Sequence, residues 1–201
     1  MSHHHSSETA AAPRRRADAE RSIARILEAA IDCLSLNPDA SMADIARKAG
    51  VVRATIYVHF PTRESLISAV THHALTDVAQ VIASSDPDSG DPVEALKRVI
   101  SATWQTLGRY HALVAINTQR PHEELHHEHG SVLDALEPLI VRGQRAGAFR
   151  SDVPASWHLA TLLALIHGAS GELSAGRIGE DGVESALLAT VVGALTTEVA
   201  S

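Results

Sequence analysis

The sequence predicts an all-α protein, and three observations carry that prediction. Apolar residues recur at helical spacing through most of the chain. No stretch alternates apolar and polar residues as a half-buried strand would, and no internal repeat is present. Helix-start and helix-stop residues divide the chain into lengths suited to about nine helices. Hydrophobic residues make up 45% of the 201 positions, so a substantial core can form.

The first helix is predicted from Asp18 to Ser35. Ile23, Ile26, Leu27, Ala30, Ile31 and Leu34 fall on one stripe, and Asn37-Pro38-Asp39 ends the helix. Ser41 starts a second helix, with Asp44 three residues on completing a capping box. Met42, Ile45, Ala46 and Ala49 form its inner face, and Gly50 breaks it. A short third helix follows from Arg53 to His59. A long fourth helix runs from about Thr62 to Ala83. Asp91-Pro92-Val93-Glu94 places a cap, a first-turn proline and an acidic residue in order at the next start. Further helices are predicted at about 92–108, 110–119, 121–146, 155–174 and 181–199. The first three helices form a small bundle ahead of a larger helical body.

Charge is unevenly spread. Residues 1–63 hold nine Lys and Arg against seven Asp and Glu, a net of +2. Residues 64–201 hold eight against seventeen, a net of −9, and the two sums give the −7 of the whole chain. A mildly basic head on an acidic body suits phosphate contact by the head alone. No apolar run approaches the roughly 18 residues that a membrane-spanning helix needs. The start, MSHHHSSETAAAPRRR, has no apolar signal-peptide core. Cys33 is the only cysteine, so no internal disulfide forms. The expectation is a cytoplasmic protein with no membrane partner.

The informative stretch is SMADIARKAGVVRATIYVHFPTRESL, Ser41 to Leu66. Two short helices joined by a glycine turn make a helix-turn-helix, whose second helix enters the DNA major groove. Ala46, Ala49 and Ala54 are small enough for close helix approach, and Ile45, Ile56 and Phe60 can anchor the pair on the first helix. Arg53, Thr55, Tyr57, His59 and Arg63 supply hydrogen-bond donors at the short helix and its exit. The run I-A-R-K-A-G-V-V-R-A-T-I-Y-V-H-F-P-T-R-E-S-L resembles the TetR family of repressors, closely from about Ser22 to Leu66. The resemblance implies that Thr55, Tyr57, His59 and Arg63 contact the DNA backbone. It places Arg53 and Ala54 where bases are read. Ser41 joins this set as the cap of the bracing helix. Two residues depart from the pattern. Val52 replaces a capping residue, at a loss of about 1 kcal/mol. Val58 stands where a polar or aromatic residue is common.

The chain accordingly divides into a flexible basic arm (1–17), a DNA-binding helix-turn-helix domain (18–63) and a ligand-binding and dimerisation domain (64–201). In the arm, Arg14, Arg15 and Arg16 either enter the neighbouring minor groove or simply solubilise a tail. His3 to His5 carry no assigned function.

The resemblance extends into the body through the segment Arg142 to Ala155. It implies an effector pocket and pairing of two chains through the last two long helices. Residues 159–171 and 186–195 are rich in Ala, Gly and Leu, which lets helices meet closely across a two-fold axis. Trp104, Tyr110, His111, Trp157 and His167 are the pocket candidates, being large or polar groups in otherwise aliphatic segments. No arginine cluster marks the body for a strongly anionic ligand, so a neutral, partly apolar effector is expected. No cofactor is expected.

His122-Glu123-Glu124-Leu125-His126 is a literal H-E-x-x-H, the helix motif of zinc hydrolases, with His127 and His129 beside it. Pro121 starts the segment and its neighbours are polar, which favours a solvated helix start over a buried metal site. A metal-sensing regulator or a zinc hydrolase is the alternative reading. The favoured expectation is a non-enzymatic, homodimeric regulator of operator DNA.

Overall fold

The computed structural model describes residues 8–110, 113, 114, 116 and 128–196, with the backbone alone for 8–15. Eight helices and no strand are present among the described residues: α1 (Glu8–Leu36), α2 (Met42–Lys48), α3 (Arg53–His59), α4 (Arg63–Ser84), α5 (Pro92–Leu107), α6 (Gly130–Arg145), α7 (Ala155–Ser174) and α8 (Val183–Leu195). Two compact units divide at Val70 and Thr71, inside α4.

In the first unit, α2 packs on α1 and on α3. The predicted stripe of α1 is its inner face: Ile26, Ala30, Ile31 and Leu34 are buried, while Ile23 and Leu27 are half-buried. Asn37 ends the helix as predicted, its side-chain Oδ1 accepting from the Asp39 N–H at 3.0 Å. The start of α1 differs from expectation. It begins at Glu8 rather than Asp18, so Arg14, Arg15 and Arg16 lie on a helix and not on a flexible arm. Alanines 10, 11, 12, 17 and 19 and the interspersed Arg and Glu are strong helix formers. An Arg16–Glu20 pair at 3.4 Å and an Arg21–Asp18 pair brace its exposed side.

The second unit holds α5 to α8 in a ring: α5 meets α6 and α8, and α7 meets the same two. Its core joins Val78 and Ile82 of α4 to Leu96, Val99 and Trp104 of α5 and to the inner faces of the later helices. The start of α5 is as predicted, with Asp91 accepting from the N–H groups of Val93 and Glu94 at 2.9 and 3.1 Å. Gly143 of α6 allows the Phe149 ring to lie directly on the helix backbone. Among the described residues, no helix is long and apolar enough to cross a membrane.

Candidate nucleic-acid interface and ligand cavity

The turn between α2 and α3 is built from caps. Ser41 accepts from the Asp44 N–H at 3.2 Å, and its hydroxyl donates to Asp44 Oδ2 at 2.6 Å. The Ser41 N–H also donates to that carboxylate oxygen, closing the predicted box. These bonds hold the Asp44 carboxyl below its ordinary pKa, with the Ser41 hydroxyl the largest cause. Gly50 turns the chain at φ +66°, where a Cβ would be strained. Val52 is the N-cap of α3 and makes no side-chain cap bond, as its identity requires.

Ile56 is fully buried and Phe60 nearly so, which seats α3 on the bundle and turns the opposite side outward. Arg53, Ala54, Tyr57 and Val58 are all exposed there, Val58 at 77% and Tyr57 at 38%. The Arg53 guanidinium lies over the Tyr57 ring, 5.6 Å from its centroid. Thr55 and His59 are half-buried at the flanks. Arg63 opens α4 and donates to the Pro38 carbonyl, which ties α4 to the turn after α1. Ser41 is exposed at the start of α2. Arg16 is exposed on α1, remote in sequence from this face.

The second unit contains a cavity with about 570 Å³ of empty space, its open mouth included. Most of its wall is aliphatic, from Ala74, Leu75 and Val78 of α4, Leu107 at the end of α5, Val132 of α6 and Leu163 and Ile166 of α7. Thr71, Thr103, Tyr110, His129 and His167 are its polar lining. Tyr110 is buried, and its hydroxyl donates to Asp77 Oδ2 at 2.6 Å. His129 and His167 meet edge to face with ring centroids 5.0 Å apart. Thr103 Oγ1 is buried and has no hydrogen-bond partner among the described residues.

Of the predicted pocket residues, Tyr110 and His167 line this cavity. Trp104 is packed into the core of the unit and is not among the lining residues. Trp157 is 63% exposed on α7, because the position faces away from the ring of helices. His111 lies outside the described residues, as do His122, Glu123, Glu124, His126 and His127. His129, expected in a solvated turn, is buried, because it joins His167 in the cavity wall. Thr71 and Thr103 were missed. Their signal was a polar residue on an otherwise apolar helical stripe, as Thr103 is among Val99, Ile100 and Leu107.

The family described as "Bacterial regulatory proteins, tetR family" matches residues 26–70, the span from α1 into α4. The HTH-type transcriptional regulator NfxB of Pseudomonas aeruginosa is 31% identical over 149 residues, which are 72% of this chain and 78% of NfxB. The chain belongs to the TetR family. As a TetR-family protein it is a transcriptional regulator with a DNA-binding helix-turn-helix, and not an enzyme. The repressor LfrR of Mycolicibacterium smegmatis is 37% identical over 83 residues, 41% of this chain and 44% of LfrR. The solved structure of LfrR in complex with proflavine shares the fold at a TM-score of 0.66, with 24% identity, over 89% of this TetR-family chain and 98% of LfrR.

Proposed function

We propose that this protein is a homodimeric repressor released from its operator by a neutral, partly apolar small molecule held in the cavity of the second unit. One observation carries the reading: α4 begins at Arg63, within the DNA-binding motif, and lines the cavity with Thr71, Ala74, Leu75 and Val78. A ligand in the cavity therefore presses on the same helix that carries a DNA contact. The aliphatic wall with a few polar groups suits a small organic molecule. A polar atom of the ligand would satisfy the Thr103 hydroxyl, whose burial without a partner costs about 1–3 kcal/mol. LfrR, a repressor of the same fold whose structure holds proflavine, supports small-molecule binding by a regulator of this kind.

On the DNA side, Arg53 and Ala54 read bases, while Ser41, Thr55, Tyr57, His59 and Arg63 hold the phosphates. A guanidinium has five N–H donors, so the bond from Arg63 to Pro38 is compatible with a phosphate contact. Arg14, Arg15 and Arg16 add basic charge on α1. One head reads one half-site, so two chains bind a pseudo-palindrome with half-sites about 34 Å apart. The outer side of α7 supports pairing: Trp157, Ala160, Ala164 and Gly168 are exposed, uncharged and on one stripe. On α8, Ser185, Ala186, Ala189, Thr190 and Gly193 are likewise exposed and uncharged. Among the described residues, a Cβ on Gly168 or Gly193 would meet nothing within 4 Å, so packing against them does not explain either glycine.

The test is a pair of titrations on DNA selected by the protein from a random pool. A compound that binds the second unit should weaken DNA affinity by about 5–150-fold, and DNA should weaken its binding by the same factor. If no neutral apolar compound from a broad panel changes DNA affinity, the sensor reading fails while DNA binding stands.

A further inference from the structure

The outward side of α3 is two parallel rows. Arg53 and Tyr57 form one, with cation over ring. Ala54 and Val58, also four residues apart, form the other, and both are exposed. Val58 is 77% exposed, so it contributes little to the core of the bundle. Helix propensity does not explain it either, because a β-branched residue is a poorer helix former than alanine. A single exposed apolar residue is ordinary on a protein surface. This one sits beside the exposed Arg53 and Tyr57, on the only side of α3 that its buried Ile56 leaves open.

In the major groove, thymine alone among the four bases presents a methyl group, and apolar side chains contact it. Building on the DNA-binding reading above, we infer that Val58, with Ala54 beside it, reads thymine methyl groups and makes thymine a required base in each half-site. The arginine of the adjacent row supplies the bidentate donor that guanine O6 and N7 accept. Residues four apart on a helix are about 6 Å apart along its axis. That is close to two base steps of about 3.4 Å. The contacted thymines are therefore neighbours or next-neighbours, beside a guanine.

The experiment uses the full chain and duplexes it selects from a randomised pool. Each thymine is replaced in turn by deoxyuridine, which keeps the pairing and the O4 acceptor and lacks only the methyl. Affinity should fall about fourfold at one or two thymines of a half-site, and about fifteenfold when both half-sites carry the change. In Val58→Ala, thymine and uracil should be bound alike at one of those positions, while Arg63→Ala should weaken both duplexes equally. The inference is overturned if no uracil substitution weakens binding, or if the penalty survives unchanged in Val58→Ala. Thermal melting of Val58→Ala should be no lower than that of the parent, because the side chain removed is exposed and alanine is the better helix former. If the protein selects no sequence at all, the DNA-binding assignment itself fails, and the inference with it.

Discussion

Replacing Gly143 with alanine tests how the second unit is held together. An added Cβ would lie 2.0 Å from Phe149 Cδ2, 2.2 Å from Cε2 and 2.8 Å from Cγ. Carbon atoms in contact prefer about 3.5–4.0 Å, so the ring must retreat by roughly 1.5 Å. Retreat is opposed on two sides. The ring is buried in the core, at 1% exposure. Its backbone is pinned, with the N–H groups of Phe149 and Ala148 both donating to the Gly143 carbonyl at 3.1 and 2.9 Å. The next residue, Arg150, donates its N–H to the Leu195 carbonyl at 2.9 Å. Displacing a buried phenylalanine costs about 3–5 kcal/mol. Removing a helical glycine returns about 1 kcal/mol. The net loss is thus about 2–4 kcal/mol. Urea unfolding followed by far-ultraviolet circular dichroism would measure it as a lower midpoint. Adding Phe149→Leu to Gly143→Ala should cost less than the sum of the two single changes, because the smaller side chain relieves the clash. A Gly143→Ala protein as stable as the parent, or more so, would refute the packing argument.

Three further outcomes are expected. Gly168→Leu should leave the fold of one chain intact, because nothing among the described residues lies within 4 Å of its Cβ, yet shift the protein towards monomer in light scattering at micromolar concentration. An unchanged dimer would remove Gly168 from the interface. Val52→Ser should add the cap that α3 lacks and raise stability by about 1 kcal/mol, read by the melting temperature of the head. Ser41→Ala should destabilise the head at neutral pH. Because the Asp44 pKa is lowered in the folded state, its contribution is present above the ordinary aspartate pKa and lost as pH falls through the folded value. The gap between parent and Ser41→Ala should therefore shrink below about pH 4. A gap independent of pH would mean that Asp44 takes no part in the cap.

The sequence by itself determined the all-α class and the head almost residue by residue. Ser41 and Asp44, Gly50, the bare Val52 cap and the Arg53–His59 helix are local features, governed by interactions within four residues along the chain. The Asp91-Pro92 start of α5 is legible for the same reason. Helix propensity summed over the N-terminal alanines was equally local, but the polarity of the segment masked it, and α1 began at Glu8. The tertiary structure decided which residues share the cavity. Thr71, Thr103, Tyr110, His129 and His167 come from distant stretches of chain, and their meeting depends on how α4 to α7 pack. Trp104 and Trp157 are the same residue type on similar aliphatic helices, yet one is in the core and the other in solvent. Helical periodicity defines an apolar face but does not say whether a neighbour fills it, leaves a cavity beside it, or is a second copy of the chain.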